Sequence, residues 1–178
     1  CQISAHIART GAVAWCCLPR FDSEPVFSSL LDEESGGSFL IGPAEGGQGI
    51  QRYVENTNVL ETRFATASGS FRVLDFAPRF LLFERLFRPT KLFRLVEPLS
   101  GTPRVVVCCN PRLGWSKGVP IEVTGSHHVR YEGFAAQLRL TTDVPLSYLH
   151  GQPFALTERK HLVLSWGDPV EEPLHSLC

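Results

Sequence analysis

The residues best suited to chemistry in this chain sit on two short, proline-stiffened segments. Trp15-Cys16-Cys17-Leu18-Pro19-Arg20-Phe21-Asp22-Ser23 carries one arginine, one carboxylate and one aromatic at the end of an apolar run. Loops held on a rigid scaffold are where binding groups concentrate. Arg20 has the planar fork that grips a carboxylate through two parallel hydrogen bonds. Phe21 can anchor in a partner's apolar pocket, and Asp22 can accept hydrogen bonds from hydroxyls or cap a following helix. Asn110-Pro111-Arg112-Leu113-Gly114-Trp115-Ser116-Lys117 repeats the theme of proline, arginine and aromatic. Trp115 offers a large flat face for a ring or an interface pocket. Trp15, Arg20, Phe21, Asp22, Arg112 and Trp115 are therefore the candidate contact residues. Capping and internal packing compete for the same side chains.

Other chemistries lack their residues. No G-x-S-x-G elbow is present, and Gly46-Gly47-Gln48-Gly49 is not followed by the Lys-Ser/Thr of a phosphate cradle, so it reads as a turn. His127-His128 open a strand, while His6, His150, His161 and His175 are isolated, and no C-x-x-C or C-x-x-H knuckle exists. The sequence thus predicts neither a metal site nor a cofactor. Glu33-Glu34 and Glu171-Glu172 lie in polar stretches and read as solvated turns. Asp75 lies inside the apolar run Val73-Leu74-Asp75-Phe76, where a buried carboxylate needs a cation; an arginine such as Arg63 or Arg79 could supply it, and a structural ion pair is favoured over a catalytic acid.

The elements that must position these groups are strands. Hydrophobic residues make up 43% of the 178 residues and charged residues 20%, enough for a packed core in a single domain. Period-two alternation runs through most of the chain. Residues 59–65 put Leu60 and Phe64 on one face with Thr62 between them, and residues 70–76 return after a short Gly-containing loop, as in a hairpin. Residues 3–8 and 12–17 flank Arg9-Thr10-Gly11 in the same way. Further strands are predicted at 91–97, 104–109, 121–124, 128–131, 135–141, 146–150, 154–157 and 161–166. Strands at roughly 8–12-residue spacing with 13 prolines and 15 glycines give an all-β, many-stranded antiparallel sandwich. Two short helical segments are expected: one after Ser23, with Phe27, Leu30 and Leu31 on one face and an end before Gly36-Gly37, and one turn around 82–87. The domain is expected to close near Trp166, with 167–178 of linker composition.

A formal net charge of −1 gives no surface for tracking phosphates, so nucleic acid is excluded as a partner. The longest apolar run, Val105 to Cys109, is strand-length, so no membrane span is predicted. The chain has no methionine, so its first residue is not a natural start. Four of six cysteines form the adjacent pairs Cys16-Cys17 and Cys108-Cys109, and neighbours on a strand point to opposite faces. An inter-strand disulfide between the pairs is one reading; buried free thiols of a reducing, cytoplasmic compartment are the favoured one.

Five segments in order carry a family resemblance. They are Thr10 to Ser23, Asn58-Val59-Leu60-Glu61-Thr62-Arg63-Phe64, Gly69 to Pro78, Arg94-Leu95-Val96-Glu97-Pro98-Leu99-Ser100-Gly101, and Asn110-Pro111-Arg112. Together they resemble the N-terminal domain of glycoside hydrolase family fifteen proteins, the bacterial glucoamylase and trehalase-like group. The family usually has an acidic residue where Ala14 stands, so a polar role is not carried over to that position. The resemblance implies a β-supersandwich followed by a linker and an (α/α)6 barrel, whose two glutamates cleave α-glucosides with inversion. Nothing in the chain corresponds to the barrel, so no catalytic residue is carried over. The expectation is a non-catalytic module that braces the barrel and shapes one wall of the substrate cleft. Its partners would be that barrel, in the same polypeptide, and the α-glucoside. Two rivals are a free-standing carbohydrate-binding module and a mutarotase-like enzyme using His128 as acid and Glu132 as base.

Overall fold

The computed structural model describes residues 3–82 and 84–167, with the side chains of residues 80–82 and 85 left aside. Cys1, His175, Glu171-Glu172, Cys178 and the rest of the expected linker from residue 168 onward lie outside the described residues. Sixteen strands are present among those described, and fourteen of them make two large antiparallel sheets. The smaller sheet joins β1 (Ala5–Ile7), β2 (Ala12–Cys17), β4 (Ser38–Pro43), β11 (Arg104–Asn110) and β15 (Phe154–Ala155) in that order, with β3 (Pro25–Phe27) on β2. The larger sheet runs β12 (Ile121–Thr124), β13 (His128–Glu132), β14 (Leu138–Thr142), β16 (Lys160–Trp166), β10 (Lys91–Gly101), β7 (Gly69–Phe76), β6 (Leu60–Thr66) and β5 (Ile50–Tyr53). A separate hairpin, β8 (Phe80–Leu82) and β9 (Arg85–Phe87), lies between β7 and β10 in sequence. The all-β sandwich expected from the alternation is the fold observed.

Alternation decides which side chains enter the core. On β6, Thr62 and Phe64 are buried and Leu60 is half-buried; on β7, Phe71 and Val73 are buried. Phe64 stacks on Phe71 across the two strands, ring centroids 4.9 Å apart. The smaller sheet answers with Val13, Phe39, Ile41, Val105 and Val107, all without exposure. Burying one such side chain contributes about 1.5–3 kcal/mol, and the shared layer is what holds the sheets face to face.

One core position is an arginine. Arg94 on β10 is wholly buried, and its partner directly across β7 is Asp75. Arg94 Nε donates to Asp75 Oδ1 at 2.7 Å. Its Nη2 donates to the Gly11 carbonyl at 2.6 Å, and its Nη1 donates to the Phe39 carbonyl. The guanidinium lies 4.7 Å from the Phe39 ring centroid. One side chain of the larger sheet thus bonds two backbone acceptors of the smaller one. Asp75 is the buried ion-paired carboxylate expected, but its cation is Arg94, not Arg63 or Arg79. Arg63 faces the opposite side of the sheet, where its Nη2 meets Glu61 Oε1 at 3.0 Å. Gly11 is obligatory beneath this contact: its φ is +86° and an added Cβ would stand 2.0 Å from the Ile41 carbonyl oxygen.

The outer face of the larger sheet carries an ion network. Glu61, barely exposed, meets Arg52 at 2.5 Å, Arg63 at 3.0 Å and Arg72 at 3.1 Å. Arg72 also meets Glu97 at 2.7 Å, and Arg159 meets Glu97 from the β15–β16 connection. Burial alone would push the Glu61 carboxyl up; hydrogen bonds from Arg52, Arg72 and Arg63 outweigh it and hold the group below its ordinary 4.5. Asp143 is likewise held low, its burial outweighed by hydrogen bonds from the His161 ring and backbone.

Three local expectations are corrected. No helix follows Ser23: Pro25–Phe27 form β3, paired with the end of β2, and Leu30 and Leu31 are exposed. A helix of that length is marginal without a buried face, and the β2 edge offers Val26 and Phe27 both hydrogen bonds and full burial. The expected helical turn at 82–87 falls on the β8–β9 hairpin, with Glu84 at φ +62° in its turn. The strand expected at 146–150 is a 3-10 turn, Leu146–Leu149; a second 3-10 turn is Gly114–Ser116. Cys16, Cys17, Cys108 and Cys109 are free thiols, and burial pushes those of Cys16 and Cys109 up to about 12.

Arg94→Met is expected to cost about 3–5 kcal/mol in urea unfolding, because it strands the Asp75 charge in the core; Asp75→Leu added to it should restore most of the loss. Stability of the wild type should fall as pH drops below about 4.5, since carboxylates with depressed folded-state pKa lose their contribution on protonation. Glu61→Gln should flatten that acid limb in pH-dependent thermal melts.

Candidate functional site

Strand register gathers the candidate loops at one end of the sandwich. Ala5 pairs with Cys16, Cys17 with Pro25, and Asn110 with Ser38, so the end of β2, the starts of β1, β3 and β4 and the end of β11 lie together. In the larger sheet Lys91 pairs with Ser165, Leu138 with Trp166 and Phe93 with Phe76. The end of β16 therefore lies beside the start of β10 and the end of β7. Trp166 and Leu18 line one groove, which brings these two sets of strand ends to the same end of the molecule.

Trp15 and Trp115 meet there, ring centroids 5.9 Å apart and planes inclined by 49°. Trp115 stands on the 3-10 turn Gly114–Ser116 and is 58% exposed; Phe21 is 61% exposed. Leu30 and Leu31 are also exposed, and Leu30 is hydrogen-bonded through its N–H to the Ala14 carbonyl, next to Trp15. These side chains put exposed apolar groups on loops linked by hydrogen bonds and ring contact. Beside it lies a groove of about 490 Å³, with Leu18, Pro19, Pro25, Leu113, Phe134 and Trp166 among its walls. Glu24 is packed on the bare backbone of Gly114, where a Cβ would stand 1.9 Å from Glu24 Oε2. This pins the Trp115 turn against the entrance to β3.

The predicted residues divide into two groups. Trp15, Phe21 and Trp115 present surface outward. Arg20 grips a carboxylate as its shape suggests, but that carboxylate is Asp22 of the same loop, through Nε–Oδ1 at 2.9 Å and Nη2–Oδ2 at 3.1 Å, with both side chains exposed. The pair holds the Asp22 carboxyl below its ordinary range. Asp22 caps no helix, because none follows. Arg112 is engaged internally: its Nε donates to the Ser35 carbonyl at 3.1 Å, and its backbone N–H to the Val26 carbonyl at 2.9 Å. With Lys117 on Asp32 at 2.5 Å, it fastens the 28–37 loop to the 110–117 loop. Sequence reasoning missed Glu24, Leu113 and Phe134 in the groove; none sits in a pattern that announces a site.

Among the described residues no group of three or more His, Cys, Asp and Glu side chains is arranged to hold a metal, and no helix is long and apolar enough to cross a membrane. His128 and Glu132, proposed as an acid–base pair, share β13, and neither lines the groove. The His128 ring packs instead over Gly125, and burial lowers its pKa.

The trehalase-like N-terminal family model matches residues 2–142. The chain belongs to this family. A trehalase of Thermoplasma volcanium is 28% identical over 163 residues, covering 90% of this chain and 26% of that protein. A trehalase of Mycobacterium tuberculosis is 29% identical over 192 aligned positions, covering 93% of this chain and 28% of that protein. Trehalase 2 of Sulfolobus acidocaldarius is 38% identical over a shorter stretch of 76 residues. The chain thus spans about a quarter of the length of the relatives that it matches most fully. No solved structure matches it.

Trp115→Ala should leave the domain's stability within about 0.5 kcal/mol, as expected for an exposed side chain. Arg112→Ala should cost about 1 kcal/mol through the loss of its hydrogen bond to Ser35. Urea unfolding of the two variants distinguishes the outward-facing residue from the internal clamp.

Proposed function

We propose that this domain, residues 1–166, is the non-catalytic N-terminal module of a trehalase- or glucoamylase-type α-glucoside hydrolase. Its loop-rich end would dock on the catalytic part of the same polypeptide, braced by that contact and supplying one wall of the substrate cleft. The observation that carries this reading is the pairing of half-buried Trp15 with exposed Trp115, beside a groove walled by Trp166, the last residue of β16. Gly167, which follows β16, lies at the same end as the apolar face. In the reading proposed, residues 167–178 begin a linker to a barrel of (α/α)6 type.

The physical role follows from the chemistry expected of the partner. Inverting hydrolysis needs two carboxylates held about 6.5–9.5 Å apart with a water between them. A stiff β-sandwich seated against the loops that carry them limits their drift, and small misplacements of reacting groups are costly in rate. The aromatic pair fits either use of the face: burial in a domain interface or stacking on a sugar ring. Aromatic anchors of this kind account for most of the energy of an interface.

The same pair supports one second reading, a sugar-binding module that acts without a catalytic partner. In the full-length polypeptide, Trp115→Ala combined with Phe21→Ser is expected to lower kcat/KM on trehalose or maltose by about tenfold or more, with the sandwich itself still folded by circular dichroism. Unchanged kinetics would overturn the docking reading. Unchanged kinetics with lost affinity for trehalose or glucan would favour the second.

A further inference from the structure

A second cavity opens at this end of the sandwich, between β1 of the smaller sheet and the strand ends of the larger one. It encloses about 300 Å³. Ile7, Leu60 and Leu92 give its walls an apolar part. Asp75 also lines it. The Asp75 Oδ1 is taken by Arg94, but Oδ2 is buried and accepts no hydrogen bond. A buried acceptor without a donor is uncommon in folded proteins and calls for an explanation. Arg94 cannot serve both oxygens, because its two other nitrogens are directed to the Phe39 and Gly11 carbonyls. At the mouth stand Asn58, Arg79 and Arg88, all exposed.

We propose that this cavity binds a small neutral polyhydroxylated ring, of the size of one hexose, with a hydroxyl donating to Asp75 Oδ2 and others accepting from Asn58 and Arg79. The chemistry of the lining selects this class. The inner end offers an acceptor whose charge is already matched by Arg94, so a hydroxyl donor suits it and an anion does not. The two guanidiniums at the mouth, Arg79 and Arg88, disfavour a cation and donate to oxygens. Apolar walls suit the C–H faces of a ring. The volume stands at the lower limit for ligand sites, which fits one ring and no more. Oδ2 has almost no accessible surface, so the hydroxyl reaches it through a side-chain adjustment at the wall, a common accompaniment of binding. This inference rests on the orphaned acceptor and the cavity, and it is independent of the docking proposed for the aromatic face.

The test uses the full-length polypeptide with isoleucine δ1 methyl groups labelled with carbon-13, and glucose as the probe. Ile3 and Ile7 line the cavity, while Ile41 is wholly buried in the shared core and serves as the control. Glucose is expected to shift the Ile3 and Ile7 methyl signals saturably in the millimolar range and to leave Ile41 in place. Ala77, exposed at the cavity wall, can be enlarged without touching the core. Ala77→Trp should abolish the shift, and Asn58→Ala should weaken binding by about tenfold. Absence of a saturable shift, or a shift that persists in both variants, overturns the proposal. So does a shift produced by inorganic phosphate but not by glucose, which would assign the mouth to anions.

Discussion

The structure depends on one buried cation. Arg94 belongs to the larger sheet, yet its donors end on the backbone of the smaller sheet, at Gly11 and Phe39. Apolar packing alone would hold two sheets together while leaving their relative slide weakly specified. A guanidinium with fixed donor directions specifies it, since its hydrogen bonds are made in one registration of the sheets. The cost of burying the charge is met by Asp75 directly across the strand pair and by the Phe39 ring beneath it. The glycine at position 11 is part of the same arrangement, because its backbone packs against the Ile41 carbonyl too closely for a side chain.

That registration determines where the loops fall. With Gly11 and Phe39 tied to the early part of β10, the end of β2 and the end of β11 are carried to the same end as Trp166. Trp15 and Trp115 come from segments a hundred residues apart, and the sandwich makes them neighbours. The arginines and acids around them act mostly as fasteners. Arg112 and Lys117 secure the 28–37 loop, and Arg20 and Asp22 hold each other. What the end offers to a partner is therefore apolar area on stiffened loops, with few ionised groups that would have to be desolvated.

Electrostatics is divided by face. Inside, among the described residues, the Arg94–Asp75 pair is saturated except for one buried carboxylate oxygen of Asp75, a residue that lines a cavity. Outside, four arginines around Glu61 and Glu97 lace the sheet: Arg52, Arg63 and Arg72 on β5, β6 and β7, and Arg159 from the β15–β16 connection. The network explains how Glu61 can be buried and ionised at once: three guanidiniums replace the water it lost. It leaves the loop-rich end free for the apolar surface.

The sequence by itself determined the fold class and the core. Period-two alternation, with glycine and proline between runs, assigns faces such as Thr62 and Phe64 inward and Glu61 and Arg63 outward without reference to any other strand. The Trp15–Ser23 and Asn110–Lys117 segments were legible as candidate loops for the same local reason, and so was the need of Asp75 for a cation. The identity of that cation was not legible, because Arg94 is nineteen residues away and is opposite Asp75 only through the β7–β10 register. The segment after Ser23 failed as a helix because the end of β2, eight to eleven residues back in the chain, offered Val26 and Phe27 more burial than a short helix could. Tertiary structure alone decided which arginines face outward and which clamp the interior, that Trp15 and Trp115 form one surface, and that Asp75 keeps an unpartnered oxygen. Each of these depends on a contact between distant strands, and local pattern carries no information about which distant strand becomes the neighbour.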